Sequence, residues 1–293
     1  MTGTAGAQLR SLLVTQDHPL VLPGAANSLS LRVIGEAGFA AAYVSGAGVT
    51  NTYLGVPDIG LLTATELVDH VTAMAAISPL PLVVDADTGF GNAINVQRTV
   101  QTLELAGAAG IQLEDQVSPK KCGHFEGKEV IPLGEMIGKI RAAVDARRDD
   151  ATVIIARTDA RAVDGMDAAL ERIAAYQEAG ADVLFVEAPR TVDEMQQITT
   201  QVPGVHIANI VEGGLTPRLS RAELHELGFG IALYANAAMR GAVRGMQDVL
   251  RHLAEHGDTL DADDLMISWT ERQDLVRKTD YDDLERRYGK EER

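Results

Sequence analysis

Short runs of consecutive apolar residues alternate along the chain with longer segments whose apolar residues recur at helical spacing. Consecutive apolar positions are typical of strands that are buried on both faces of a parallel sheet. Glycine often follows the helical segments, as at Gly38, Gly107 and Gly228, where it can adopt the left-handed conformation that ends a helix. The pattern predicts strands at residues 20–24, 41–46, 81–87, 110–115, 153–159, 183–189, 206–211 and 231–234.

Helices are predicted before, between and after these strands, and Ser28 is the expected N-cap residue of the second. They span residues 7–16, 28–37, 65–77, 93–108, 134–147, 166–179, 191–201, 220–227 and 236–255. Eight successive strand–helix units predict an α/β protein with a (β/α)8 TIM barrel, here residues 1–257. A doubly wound open sheet is the alternative, but no Gly-x-Gly-x-x-Gly motif follows the first strand.

The segment 258–293 follows the complete barrel and has a helical pattern of its own. Helices are predicted at residues 261–276 and 280–288. The apolar side chains in this segment need a surface to pack on, and a partner subunit is a candidate. They include Leu265, Ile267, Trp269 and Leu275. We therefore expect a C-terminal helical extension that contributes to oligomer packing.

Composition and charge exclude several classes of protein. The chain has 293 residues, of which 46% are hydrophobic and 23% charged, so a substantial core is available. A formal net charge of −16 repels phosphate backbones and disfavours a nucleic-acid partner. No apolar run has the length of a membrane span, and the N-terminus lacks a signal-peptide pattern. With a single cysteine and hence no internal disulfide, the expected location is the cytoplasm.

Polar side chains recur at the carboxyl ends of the predicted strands, where TIM-barrel enzymes carry their active sites. Random placement would scatter them over strand starts and helix faces as well. Their convergence predicts a site for a small molecule at one mouth of the barrel. The residues are Ser45, Asp85, Asp87, Glu114, Arg157, Glu187 and Asn209.

The carboxylates of Asp85, Asp87 and Glu114 would repel one another unless a cation joined them. Ligation by oxygen atoms alone suits Mg²⁺, with Mn²⁺ as a second possibility. The alternative is that Asp87 caps the next helix while Glu114 pairs with Arg157 or Lys120. Beside a metal, Arg157 is suited to bind a substrate carboxylate in fork geometry, whereas elsewhere it would be a structural ion-pair partner.

Residues 110–124 contain the densest run of reactive side chains, from Lys120 through Cys122 to His124. A thiol near ammonium and imidazole groups forms thiolate more readily, so Cys122 and His124 are candidate acid–base groups. The alternative is a solvated basic loop with an incidental cysteine. The connection 116–132 is longer than usual and is predicted to be a gating loop with glycine hinges at Gly123 and Gly127.

Several motifs together resemble the isocitrate lyase and phosphoenolpyruvate mutase superfamily over nearly the whole chain. They lie at residues 43–46, 58, 85–91, 113–116, 120–124, 156–160 and 209–214. The similarity is greatest to the 2-methylisocitrate and 2,3-dimethylmalate lyase type, and carboxyphosphonoenolpyruvate mutase is also similar. Cys122 is the mark of the carbon–carbon lyase branch. Ala47 is a departure, because some of these lyases have glycine there.

The resemblance implies Mg²⁺ with Asp85 as a direct ligand, while further carboxylates act largely through water. It places Lys120 and Cys122 on the gating loop and implies a swapped C-terminal helix in a dimer of dimers. The further metal-binding carboxylates are Asp58, Asp87 and Glu114. The resemblance also implies that Ser45 and Gly46 bind the pyruvate-like carboxylate with help from Arg157. The full set of predicted substrate-binding residues is Ser45, Gly46, Ala47, Gly123, Arg157, Glu187 and Asn209.

The predicted function is cleavage of a carbon–carbon bond in a 2-hydroxy di- or tricarboxylate, giving pyruvate or a related 2-oxo acid and a carboxylate. Mg²⁺ would stabilise the substrate alkoxide, and Cys122 would protonate the departing carbanion as general acid. The candidate base is Tyr43, helped by Asp58 or a metal-bound water. The alternatives are a phosphonomutase, an oxaloacetate-type decarboxylase or hydrolase, and a catalytically silent barrel, against which the intact acid cluster argues.

Overall fold

A closed parallel barrel forms the body of the protein in the computed structural model, which describes residues 3–15, 17–121, 123 and 127–289. Each strand is hydrogen-bonded to the next, and the last pairs with the first, from Leu20–Ile231 to Pro23–Tyr234. This closure confirms the predicted (β/α)8 fold. The strands are β1 Leu20–Ala25, β2 Ala42–Val44, β3 Leu82–Asp85, β4 Ala108–Glu114, β5 Val153–Thr158, β6 Val183–Val186, β7 Val205–Asn209 and β8 Ile231–Tyr234.

Helices surround the barrel, as the periodicity predicts. The N-terminal ones are α1 Ala5–Thr15, α2 Ser28–Glu36, α3 Gly46–Val49, α4 Ala64–Ile77, α5 Ala93–Leu105 and α6 Leu133–Ala146. Those that follow are α7 Ala160–Val163, α8 Met166–Glu178, α9 Val192–Gln201, α10 Arg221–Glu226, α11 Ala237–His256, α12 Trp269–Leu275 and α13 Lys278–Tyr288. Among the described residues, no helix combines the length and the apolar character that a membrane crossing requires.

Alternate side chains of each strand pack on opposite sides of the barrel wall, because successive residues of a strand point to opposite faces. In β3, Val83 packs inside the barrel, whereas Leu82 and Val84 pack between the wall and the helices. All three are fully or almost fully buried. This double burial explains why the strands are apolar at consecutive positions.

One predicted helix start is wrong, and the structure excludes one alternative for another helix. The N-cap residue of α2 is Asn27, whose side chain accepts a hydrogen bond from the backbone of Ser30 in a capping box, so Ser28 is already helical. The N-cap residue of α5 is Asn92, which excludes the alternative in which Asp87 caps that helix. In both helices, the side chain of an asparagine accepts a hydrogen bond from one of the first backbone N–H groups and so determines where the helix begins.

The C-terminal segment is more broken than predicted. A single helix over residues 261–276 does not form; a 3₁₀ turn at Asp263–Leu265 precedes α12, and Arg277 has a left-handed backbone, with φ of 57°, before α13. Leu275 is buried, and α12 packs against α2 of the same chain. Trp269, by contrast, is 71% exposed.

Two short helical segments between β2 and α4 shape the mouth of the barrel and are absent from the sequence-based prediction. Helix α3 follows β2 immediately, and a π-helical turn, Thr50–Leu54, continues from it. The next stretch of chain carries Asp58, which is almost entirely buried. These segments bring Asp58 back over the end of β3, although it lies far from β3 in the sequence.

Candidate active site

A partly enclosed cavity of about 160 Å³ opens at the carboxyl ends of the strands. Most of the predicted site residues line it, and Gly46 and Asp87 adjoin its wall. Cys122 and His124 lie outside the described residues. The lining residues are Tyr43, Ser45, Ala47, Asp58, Asp85, Glu114, Lys120, Lys121, Gly123, Arg157, Phe185, Glu187, Asn209, Val211, Leu233, Ala235 and Asn236.

Lys120 lies within the acidic cluster on one side of the cavity. Its Nζ is 2.5 Å from Asp58 Oδ1 and 3.0 Å from Asp87 Oδ1. Burial alone would lower the pKa of this ammonium group, but the surrounding carboxylates, Asp87 foremost, raise it. Lys120 therefore remains protonated and partly neutralises the cluster.

Asp85 is held at the centre of the cluster by donors from three directions. Its Oδ2 accepts from the backbone N–H of Gly46 at 3.3 Å, and its Oδ1 accepts from Gln112 Nε2 at 3.1 Å and from the N–H of Asp87 at 3.3 Å. Gln112 in turn accepts from the Tyr43 hydroxyl at 2.9 Å. The orientation of Asp85 is thus fixed from the barrel interior.

The acidic side chains of the cluster are buried where their charges are costly. Burial, reinforced by the charges of Asp85 and Asp58 and opposed by Lys120, raises the pKa of Asp87 to about 7. Burial also raises the pKa of Glu114 well above its ordinary value, although Arg157 opposes this. Asp87 adopts a left-handed backbone, with φ of 48°, a strained conformation of the kind found at functional sites.

The oxygen-only donor set fits a hard divalent cation, provided that few of the carboxylates bind it directly. In the described part of the chain, no three acidic or histidine side chains converge closely enough to enclose an ion unaided. Mg²⁺ commonly keeps several waters and uses one or two carboxylates. Asp87 Oδ1 also lacks a hydrogen bond, because its contact with Lys120 is not in hydrogen-bonding geometry. Asp85, which the sequence motifs predict to be the direct ligand, lies within this group of carboxylates.

Arg157 also lines the cavity, where it lies among three carboxylates. Its Nε and Nη2 donate to Asp159 at 2.9 and 3.2 Å, its Nε is 3.3 Å from Glu114 Oε2, and its Nη1 is 3.6 Å from Glu187 Oε2. The pairing of Glu114 with Arg157, considered above as an alternative to metal binding, is therefore present. Asp159 accepts hydrogen bonds from Nε and Nη2 of Arg157. A substrate carboxylate would therefore have to bind to the two outer nitrogens of the guanidinium group, Nη1 and Nη2.

Asn209 offers an acceptor to the cavity. Its Nδ2 lies 3.4 Å from both carboxylate oxygens of Glu187, which sets the orientation of the amide because Oδ1 would be repelled there. The Oδ1 atom is buried and has no hydrogen-bond partner. A hydroxyl group or water in the cavity would satisfy it.

Ser45 has a local structural role whether or not a substrate is bound. Its hydroxyl accepts from the N–H of Gly48 at the start of α3 and donates to Asn236 Oδ1 at 3.2 Å. Gly46 leaves these carboxylates room, because a Cβ at that position would lie 3.1 Å from Asp85 Oδ2 and 3.2 Å from Asp87 Oδ1. Ala47 lies in the first turn of α3, where backbone N–H groups lack partners within the helix.

The described start of the loop 116–132 is tied to the site through Gln116. Its amide nitrogen donates to Glu114 Oε1 at 2.9 Å and to the carbonyl of Lys121 at 2.8 Å, and its amide oxygen accepts from the N–H of Lys121. These bonds place the neighbouring Lys120 over the acidic cluster.

Sequence reasoning missed several residues that organise the cavity. Asp159 could have been found, since it stands two residues after Arg157 just as Asp87 follows Asp85. Gln112 also carried a signal, as a polar side chain within an apolar strand. Lys128 and Asn236 carried none, because only the folded chain shows what they contact.

Comparisons with known proteins identify the family of this chain and several of its relatives. Residues 9–254 match the phosphoenolpyruvate phosphomutase family. The chain is 46% identical to 2,3-dimethylmalate lyase of Eubacterium barkeri, covering 97% of this chain and 98% of that protein. It is 43% identical to 2-methylisocitrate lyase of Aeropyrum pernix, with 94% and 89% covered. Identity to the chloroplastic carboxyvinyl-carboxyphosphonate phosphorylmutase of Arabidopsis thaliana is 42%, with 98% and 86% covered.

Solved structures show the same architecture. A 2,3-dimethylmalate lyase described as a PEP mutase/isocitrate lyase superfamily member superposes with a TM-score of 0.92 at 34% identity, covering 99% of this chain and 97% of that one. An oxaloacetate acetylhydrolase bound to 3,3-difluorooxalacetate gives 0.93 at 32%, with 99% of each chain covered. A phosphonopyruvate hydrolase in complex with oxalate and Mg²⁺ gives 0.88 at 32%, with 98% and 100% covered.

Proposed function

The chain belongs to the phosphoenolpyruvate phosphomutase family, and from its similarity to 2,3-dimethylmalate lyase and 2-methylisocitrate lyase we propose that it is a Mg²⁺-dependent carbon–carbon lyase. Membership of the superfamily and the lyase type of enzyme agree with the expectation from the motifs. The proposed substrate is a 2-hydroxy di- or tricarboxylate of the 2-methylisocitrate or alkylmalate type. The products are pyruvate or a related 2-oxo acid and a carboxylate. The observation that carries this proposal is the cavity at the carboxyl ends of the strands, which both Asp85 and Arg157 line.

The charge balance around the cavity supports a divalent cation. Among the described residues, six buried acidic side chains and three buried basic side chains lie at or beside the cavity, so the acids outnumber the bases there. The carboxylates are Asp58, Asp85, Asp87, Glu114, Asp159 and Glu187, and the cations are Lys120, Lys128 and Arg157. When bound at Asp85, Mg²⁺ supplies Lewis-acid stabilisation of a developing alkoxide oxygen.

Arg157 and Asn209 have the chemistry to orient the substrate. Arg157 would attract a substrate carboxylate through its outer nitrogens, since Asp159 keeps the guanidinium plane fixed. Asn209 Oδ1 would accept a hydrogen bond from a substrate hydroxyl. Ser45, Gly46 and Ala47 complete the wall against which a pyruvate-like fragment would lie.

Tyr43 is best placed to orient the site in its neutral form. Burial, with the charge of Asp85, raises the pKa of its phenol well above the ordinary value. Its hydroxyl also donates to Gln112, which donates to Asp85. The base role expected from the sequence requires the phenolate, which is scarce at neutral pH under these conditions. Lys120 would stabilise negative charge beside Asp58 and Asp87. Cys122 is proposed to deliver a proton to the departing fragment.

A substrate panel tests the proposed reaction directly. We expect pyruvate from 2-methylisocitrate or 2,3-dimethylmalate in the presence of Mg²⁺, measured by coupled oxidation of NADH with lactate dehydrogenase. Oxaloacetate and phosphonopyruvate serve as comparison substrates, with oxalate, acetate and phosphate measured by ion chromatography. Turnover of oxaloacetate or phosphonopyruvate alone would overturn the lyase proposal in favour of a hydrolase or a phosphonate enzyme.

We also propose that the C-terminal extension joins subunits, in a dimer of dimers. Helix α11 buries none of its residues in the single chain. Its exposed Val243, Met246, Leu250 and Leu253 recur at helical spacing and form an apolar stripe. Monomeric proteins rarely leave such a stripe in water, and the exposed Trp269 adds to it.

Removal of residues 258–293 is expected to reduce the oligomer to smaller species and to lower solubility, because apolar surface on the barrel loses its cover. Light scattering coupled to size-exclusion chromatography measures the mass. Glu285→Ala, which changes an exposed polar side chain in α13, is the control and should keep the native mass. An unchanged oligomer after truncation would contradict the proposal.

A further inference from the structure

Lys128 is a buried lysine for which the proposed chemistry has no direct use. It belongs to the loop 116–132, and its side chain is only 2% exposed. Its Nζ donates to Asp159 Oδ1 at 2.6 Å and to the backbone carbonyl of Gly123 at 2.5 Å. Lysine is almost never fully buried unless it is paired, and Asp159 is the partner that compensates the buried charge here.

Asp159 connects Lys128 to Arg157. Its Oδ1 accepts from both Lys128 and Arg157 Nη2, and its Oδ2 accepts from Arg157 Nε. The backbone N–H of Asp159 donates to Asp115 Oδ1 at 2.9 Å, and Asp115 is itself held by Tyr176 and Arg172. Asp159 is therefore anchored from behind, and the two cations share its charge.

Besides Asp159, Gly123 also connects Lys128 to the cavity. A Cβ at this position would lie 2.6 Å from Arg157 Nη2 and 2.7 Å from Glu187 Oε1, so the backbone rests directly on these two side chains. Lys128 holds the carbonyl of the same residue. One ammonium group thus fixes both the partner of Arg157 and the backbone that covers Arg157.

The charges explain what this arrangement does for an anionic ligand. Arg157 is surrounded by carboxylates of Glu114, Asp159 and Glu187, which weaken its attraction for a further anion. Lys128 takes up part of the charge of Asp159. Since Coulomb interactions are strong in buried surroundings, more of the positive charge of Arg157 is left for the ligand.

We propose that Lys128 is a positioning residue, which acts through Asp159 and Gly123 to set the geometry and effective charge of Arg157 toward a carboxylate ligand. The inference rests on the role of Arg157 in the proposed function, but it does not depend on which bond is cleaved. Binding of oxalate in the presence of Mg²⁺, measured by isothermal titration calorimetry on the full-length protein, therefore tests it independently of turnover.

Lys128→Met is expected to raise the Kd of oxalate roughly 10- to 100-fold, the usual effect of losing a partner that orients a binding group. Lys128→Arg, which keeps the charge, should recover most of the affinity. In an Asp159→Asn background, Lys128→Met should add little, because the two residues act as one unit. The matched control is Arg147→Met, which removes a cation that likewise bonds one carboxylate, Asp182, and the backbone, through the carbonyls of Thr152 and Val144, away from the cavity.

A purely structural role would lower the melting temperature of Lys128→Met and Arg147→Met alike and leave the Kd of oxalate unchanged in both. That result, or a wild-type protein that does not bind oxalate with Mg²⁺, would overturn the inference. A wild type that binds oxalate but cleaves no 2-hydroxy carboxylate would instead overturn the proposed function. If Lys128→Met does not fold, the Kd of oxalate is measured for Lys128→Gln and for Asp159→Asn instead. A Kd equal to that of the wild type in both variants would overturn the inference.

Discussion

Replacing Asp85 with alanine is expected to lower kcat/KM by at least ~10³-fold, which corresponds to about 4 kcal/mol of transition-state stabilisation. Asp85 is the carboxylate around which the cluster is arranged, since Gly46, Gln112 and Asp87 all donate to it. Its removal takes away the predicted direct ligand for Mg²⁺. The stabilisation of developing negative charge on the substrate would be lost with the metal.

Two measurements separate loss of the metal from loss of the fold. The increase in melting temperature on addition of Mg²⁺ should disappear in Asp85→Ala and in Asp85→Asn, whose amide oxygen can still accept from Gln112. Asp69→Ala, at an exposed position on α4, should keep both turnover and the Mg²⁺ response. Full turnover by the wild type after exhaustive chelation would refute a metal requirement, and restoration by Mn²⁺ as well as Mg²⁺ would fit the oxygen-only donor set.

Cys122→Ser should reduce kcat by ~10²–10⁴-fold, the usual contribution of a general acid, while KM changes little. Serine has nearly the same shape, but an alcohol is a much weaker acid than a thiol. Delivery of a proton to the departing carbanion should therefore fail, whereas binding through Arg157 and the carboxylate cluster should persist. Lyase kinetics under saturating Mg²⁺ measure the effect.

Chemical modification gives an independent check, because Cys122 is the only cysteine of the chain. Alkylation by iodoacetamide should inactivate the wild type in step with the loss of one thiol. Oxalate with Mg²⁺ should slow the reaction. Retention of lyase turnover by Cys122→Ser would remove the thiol from the mechanism and shift the assignment toward the phosphonomutase or decarboxylase alternatives.

The fold was predictable because its determinants are local and repeated. Consecutive apolar residues such as Leu82, Val83 and Val84 indicate a strand buried on both faces, and the same signal recurs eight times. Closure of the barrel follows from that repetition. Helix ends were less predictable, since Asn27 and Ser28 are both good N-cap residues and only backbone geometry selects between them.

The candidate site was predictable wherever a residue lies at the end of a strand. Asp85, Glu114, Arg157 and Asn209 could be brought together by topology alone, because parallel strands in a closed barrel all end at one mouth. Their partners could not be found this way. Asp58 and Lys120 belong to long connections, and no periodic pattern in the sequence predicts the path that such a connection takes.

The residue types and their order along the chain thus establish the barrel, the family and those charged groups that stand at strand ends, since each depends on short-range pattern or on strand ends. Folding in three dimensions assigns the partners of those charges. In the folded chain, Lys120 pairs with Asp58 and Asp87. Arg157 and Lys128 both pair with Asp159. Ion pairing depends on distances of a few ångströms between residues far apart in sequence, and such distances are set by loop paths and packing.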